Sequence, residues 1–188
     1  MSLLFSPAPY HIISYGTLLG TQVFHTFINS VSSFRVLERP QFAILQRAVF
    51  PWYFGIQTVA PVVLALTYPG IGGRSVLAAL EAGASVYDRS VAGVLQQPGA
   101  VLAPLAVACV TGLANWAYFL PETNKLTARR RVQETKDGKR SYDAPPHSEE
   151  MAALNKRFGQ LHGLSSLLNV VTLVATVAYG FHLSSAFE

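Results

Sequence analysis

Residues 161–183 read LHGLSSLLNVVTLVATVAYGFHL, 23 positions without one Asp, Glu, Lys or Arg. A helix needs about 20 apolar residues to cross the hydrocarbon core of a bilayer. The stretch lacks the strict alternation that marks a half-buried strand. In lipid only helices and closed barrels satisfy their own backbone polar groups. The stretch therefore predicts a transmembrane helix. Outward from it, comparable apolar runs occupy 100–120, 50–68 and 10–34. Four runs predict an all-α, polytopic membrane protein, a bundle of four transmembrane helices with amphipathic interfacial helices, in one domain over 1–188.

Composition points the same way. The chain of 188 residues is 51% hydrophobic and 13% charged, where a soluble domain carries about 25% charge. On a soluble chain the net charge of +4 would suggest nucleic acid. Here the cations sit beside the apolar runs, so the bilayer and its anionic lipid headgroups are the expected partners, with no nucleic acid. The single Cys109 lies inside the third run. It can form no intrachain disulfide, and no Cys/His metal spacing surrounds it. The segment 1–10 has no Lys or Arg, unlike a secretory signal or an Arg-rich transit peptide. The first run is expected to insert uncleaved, in a secretory-pathway or plasma membrane rather than a mitochondrial one.

Between the first two runs, Arg35-Val-Leu-Glu-Arg39 precedes Pro40, which suits the first turn of a new helix. The segment 41–50 is amphipathic, with Phe42, Leu45 and Phe50 apolar and Gln46 and Arg47 polar. It reads as an interfacial helix leading into the second run, where Pro51 and Pro61 predict a kink or restart. The next connection opens with Gly70-Ile-Gly72-Gly73. Its 75–96 segment can form a re-entrant or surface-lying helix, and Glu81, Asp88 and Arg89 argue against a fifth span. These glycines make no phosphate loop, because no strand precedes them and no Gly-Lys-Ser follows. The third connection, 122–160, is strongly hydrophilic, with Arg129-Arg130-Arg131, Lys136, Lys139, Arg140 and Pro145-Pro146. It reads as basic and partly flexible, resuming as an amphipathic helix over 147–157. The first and third connections hold twelve cations and the second only Arg74 and Arg89. The positive-inside rule then places the basic connections in the cytosol and both termini on the other side.

Polar side chains within the runs fall into stripes at about 100° per residue. Gln22, His25 and Asn29 share one stripe, and Gly16 and Gly20 lie nearly opposite, a GxxxG pair suited to close approach of another helix, such as that of a homodimer. Thr111, Asn115, Tyr118 and Glu122 share a second stripe; His162, Ser165, Ser166 and Asn169 share a third. With ~1.5 Å of rise per residue, His25 lies roughly 15 Å inward from Arg35, and Asn115 about as far from Lys125. Matched depths predict a polar, ligand-binding pocket in the cytosolic half, with Glu122 and His162 as its titratable groups. The same stripes also suit interhelical hydrogen bonds worth about 1 kcal/mol each. No enzyme is expected: Ser165 and Ser166 lie near His162, but no acid stands at helical spacing to orient the ring. No cofactor or metal is expected either. His25 and His162 differ in depth, against a bis-histidine haem. No two of His25, His162 and Glu122 lie one turn apart on one helix.

Several strings carry a family likeness: Gly20-Thr-Gln22; Phe42-Ala-Ile-Leu-Gln46 through Phe50-Pro51-Trp-Tyr53-Phe54; Asn115 and Pro121; and, sharpest, His162-Gly163-Leu-Ser165-Ser166-Leu-Leu-Asn169. Together they resemble the transmembrane protein 205-like family, eukaryotic membrane proteins built on a domain of poorly defined function. The resemblance implies four transmembrane helices and supplies no reaction. It lifts His162, Ser165, Ser166 and Asn169 above the other polar positions. His25 departs from the pattern of animal members, and the 69–99 connection looks expanded. The functional expectation is an integral membrane protein that binds or passes a small solute, lipid or ion. The alternative is a non-catalytic scaffold or assembly factor whose helix faces bind other membrane proteins.

Overall fold

The computed structural model describes residues 6–68 and 98–184. The turn at 70–73, the helix expected over 75–96 and the cations Arg74 and Arg89 lie outside the described residues. Every regular element among the described residues is helical.

The chain enters α1 (Pro7–Val23) from an extended Ser6, with a proline in the first turn. A π-helical turn (Phe24–Asn29) and α2 (Ser30–Val36) follow, with helical backbone at both junctions, so the three form one rod. Leu37 turns extended and ends it. Then α3 (Arg39–Thr67) starts after an extended Glu38, with Pro40 in its first turn as expected. It does not restart at Pro51 or Pro61; both lie inside one helix of 29 residues. Pro61 has no N–H, which leaves the Gln57 carbonyl without its helical donor. Gly112 of the neighbouring helix covers that position. A Cβ on Gly112 would lie only 2.9 Å from the Gln57 carbonyl carbon and oxygen. The missing side chain is what lets the two backbones close over the proline.

A second rod joins a π-helical turn (Pro98–Leu102), α4 (Ala103–Ala114), a further π-helical turn (Asn115–Phe119) and α5 (Leu120–Asp137). The last helix is α6 (Glu149–Ser184). Among the described residues three helices are long and apolar enough to cross a membrane: Arg39–Thr67, Gly99–Asp137 and Glu149–Ser184. By that measure the chain is a multi-pass membrane protein. The rod 7–36 is not among the three, because His11, Gln22, His25 and Asn29 dilute its apolar content.

In packing, α3 lies against α1 and α4, while α6 lies against α4, α5 and α1. Leu18, Ala60, Leu64, Val101, Leu105 and Tyr179 form the buried apolar cluster between them. Large apolar side chains also cover the outside, among them Ile13, Phe27, Trp52, Val110, Val174 and Phe181. In water so much exposed apolar surface would mark a binding face or an aggregation hazard; in lipid it is the solvent-facing surface.

The two longest helices, of 39 and 36 residues, span roughly 58 and 54 Å at ~1.5 Å per residue, against a hydrocarbon core of about 30 Å. Their polar ends, α5 and the start of α6, pair as a helical hairpin beyond the apolar segments. Composition marks this stretch as basic and partly flexible; its backbone is helical to Asp137, where Gly138 adopts the left-handed conformation (φ 63°) that a non-glycine residue rarely takes. The link is tied down by Arg140 N–H to Asp143 Oδ2 (2.8 Å), Ser141 N–H to Glu134 Oε1 (2.9 Å) and Lys139 Nζ to the Pro146 carbonyl (2.7 Å). Across the hairpin, Arg130 Nε donates to Asn155 Oδ1 (2.8 Å) and Asn155 Nδ2 donates to the Ser141 carbonyl (2.9 Å). The Arg130 guanidinium lies 4.3 Å over the Phe158 ring, and Leu126 and Met151 are buried beneath.

Candidate functional site

The interior of the helix assembly is polar at three levels. At the end away from the hairpin stands His11. The Thr67 hydroxyl donates to the Val63 carbonyl (2.7 Å), so its oxygen accepts from His11 Nδ1–H (2.9 Å). That fixes the tautomer and leaves Nε2 bare, and Nε2 accepts from the Tyr179 hydroxyl (2.8 Å). His11 is 2% and Tyr179 0% exposed. Beside them the Tyr68 hydroxyl meets His182 Nε2 at 3.1 Å. A side chain at Gly180 would overlap the Tyr15 hydroxyl, so this glycine makes room for a third tyrosine.

At mid-depth, Thr111 of α4 and Thr172 of α6 share a hydrogen bond of 2.7 Å. Gln22 enters from α1 and Gln57 from α3, 1% and 0% exposed. The pairs His11–Thr67, His25–Tyr53 and Phe34–Phe42 run in antiparallel register and set Gln22 level with Gln57. Neither carboxamide closes a well-formed hydrogen bond, nor does that of Gln46 nearer the hairpin. Gln57 interacts with the Tyr53 hydroxyl, which Thr26 also approaches, in a contact short of good hydrogen-bond geometry.

Toward the hairpin, both rods carry a π-helical turn. The first holds His25, whose Nδ1 accepts from Asn29 Nδ2 (3.1 Å) and whose ring lies 4.4 Å from that of Tyr53. The second begins at Asn115, which exchanges two hydrogen bonds with Ser165: Nδ2 to the carbonyl (3.3 Å), and Ser165 Oγ to Oδ1 (2.8 Å). Asn169 sits one turn on, its Oδ1 buried and unpaired. The wider π turn recurs at functional sites because it re-aims side chains out of helical register.

Of the residues singled out in the sequence, Gln22, His25, Asn115, Ser165 and Asn169 therefore line the interior, with Asn29 at its edge. His162 and Ser166 are exposed, and the His162 ring stacks on Phe158 at 5.8 Å. Glu122 stands outside as well, bonded to Lys125 at 2.6 Å. That bond, with the nearby charges of Arg157 and Arg129, holds its carboxyl below the usual carboxylate range. Gly16 and Gly20 are exposed, with open space where their side chains would be. Sequence reasoning missed His11, Thr67, Gln57, Thr172 and Tyr179. One signal was available: Asn169, Thr172, Thr176 and Tyr179 continue the Ser165 stripe at alternating helical spacing. Among the described residues no three of His, Cys, Asp and Glu gather in a set that could hold a metal ion.

Residues 13–132 match the model of a domain of unknown function, DUF4149. The chain is also similar to the xanthocillin biosynthesis cluster protein D of Aspergillus fumigatus, at 32% identity over 178 residues, which cover 95% of this chain and 89% of that protein. No solved structure matches it.

Proposed function

Because the chain belongs to the DUF4149 domain family, we propose that it is a membrane protein of the transmembrane protein 205-like kind that binds or passes a small uncharged solute through the interior of a four-helix bundle. The rod 7–36 is the fourth span in this reading. The observation that carries it is the set of buried carboxamides on Gln22, Gln46 and Gln57, together with the Asn169 Oδ1, that close no well-formed hydrogen bond. A buried polar group without a partner costs about 1–3 kcal/mol, and a hydrogen-bonding solute would offset that. The runs 10–34, 50–68, 100–120 and 161–183 contain no Asp, Glu, Lys or Arg. An ion would meet no countercharge there, which favours a neutral solute over an ion. A relative named for a biosynthesis cluster suits a protein that handles a small molecule.

The basic ends of the helices orient the bundle. The hairpin faces the cytosol and anionic lipid headgroups, with Pro7 and Ser184 on the far side, in a secretory-pathway or plasma membrane. A scaffold role has one observation in its favour, the open Gly16–Gly20 face, which suits a second copy or another membrane helix.

Gln22→Leu and Gln57→Leu test the solute reading in proteoliposomes, with stopped-flow permeability to glycerol and urea as the readout. The wild-type chain should raise permeability over empty liposomes. Each variant should lose most of that gain while its melting temperature holds or rises, since an apolar group replaces an unpaired amide. A wild type no more permeable than lipid alone, or variants that melt lower, would favour amides acting as helix glue.

A further inference from the structure

The outer face of α6 carries a groove of ≈ 580 Å³ at the level where the hairpin meets the apolar segment. Leu161, Leu164 and Leu167 line it together with Gly159, Gly163 and Arg157. Nothing lies within 4 Å of where a Cβ would stand on either glycine, so helix backbone forms the floor. Leu164 and Leu167 are more than half exposed. The leucines belong to the run 161–183. Arg157 stands about 6 Å before it along the helix, at headgroup depth. Arg157 of α6 acts on the Glu122 carboxylate of α5, which is already paired with Lys125. Among the described residues Arg157, at the edge of the apolar furrow, makes no ion pair.

We propose that this groove binds one anionic glycerophospholipid, its phosphate against Arg157 and an acyl chain laid over Gly159 and Gly163 along the leucines. Charge complementarity selects this occupant. A symmetric pairing of two copies through the furrow would bring the two Arg157 side chains together. A lipid of zero net charge, whose phosphate is balanced by its own headgroup cation, would leave the Arg157 charge uncompensated. The proposal rests on the membrane orientation given above and not on the interior solute.

Native mass spectrometry of the full chain in mild detergent tests it, with dioleoylphosphatidylglycerol and dioleoylphosphatidylcholine as probes. The wild type should retain the glycerol lipid several-fold better than the choline lipid. Arg157→Gln should abolish that preference. Gly163→Leu should abolish retention at unchanged charge by filling the furrow, and Arg131→Gln should behave as wild type. Equal retention of the two lipids, or an intact preference in Arg157→Gln, overturns the proposal. So does a dimer signal that Gly163→Leu removes while the lipid preference survives. Arg157 is exposed, so its variant remains informative even if a leucine at 163 prevents folding. The titration reads nothing from the interior, so its failure leaves the permeability result standing, and the reverse holds.

Discussion

At the scale of single residues, the hydrogen bond between Tyr179 and His11 is the sharpest commitment in the interior. It joins residues 168 apart in sequence, and the Thr67 bond joins residues 56 apart. No local pattern could announce either, and His11 reads as a polar residue near the edge of an apolar run. Tyr179→Phe should leave His11 Nε2 bare in a buried site and cost about 1–3 kcal/mol, seen as a lower melting temperature in detergent. Adding His11→Phe should return part of the loss, since the bare ring nitrogen goes with it while the Thr67 hydroxyl keeps its bond to the Val63 carbonyl. Gly112 makes the complementary case. Gly112→Ala pushes a methyl against the Gln57 backbone, which has no rotamer to escape into. A cost of about 1–3 kcal/mol is expected. Gly16→Ala and Gly20→Ala, which meet open space, should leave the melting temperature unchanged; a marked drop in either would mean that an unseen neighbour packs there.

At the scale of elements, the apolar rods were legible because hydropathy is local and each run is long enough to average. The π-helical turns at 24–29 and 115–119 were not, since their wider hydrogen-bond pattern leaves no compositional mark. Nor was the hairpin. Its charges look solvated in the sequence, but Arg130 finds Asn155, and Glu134 finds Ser141 and Arg140, only once α5 and α6 turn back on each other. Burial pushes the Glu134 carboxyl up, but the Ser141 hydroxyl and N–H with Arg140 and Arg130 outweigh it and hold it below its ordinary value. A lowered folded-state value means that the unfolded chain binds more protons in that interval. The contribution is thus complete above the ordinary carboxylate value of about 4.3 and fades as pH falls through the lowered one. Scanning calorimetry should show the melting temperature falling on acidification through that window. Glu134→Gln should melt lower at neutral pH and respond less steeply to acid; an unchanged acid response would remove Glu134 as its source.

At the scale of the whole molecule, apolar side chains face outward and polar ones line the helix contacts. The sequence disclosed half of this arrangement. Helical spacing picked out Gln22, His25, Asn115, Ser165 and Asn169, which turn inward. Spacing also picked His162 and Ser166, which are exposed. A stripe gives a direction around one helix, whereas burial depends on whether a neighbour covers that level. How the chain crosses the bilayer can be measured by replacing the lone Cys109 with Ala, placing a single cysteine at Ser6, Thr135 or Ser184, and labelling sealed membrane vesicles with an impermeant maleimide. Four spans predict that positions 6 and 184 label from one face and position 135 from the other. Labelling of 6 from the same face as 135 would remove the first rod as a span, and labelling of 135 and 184 from one face would contradict membrane crossing by α6 itself.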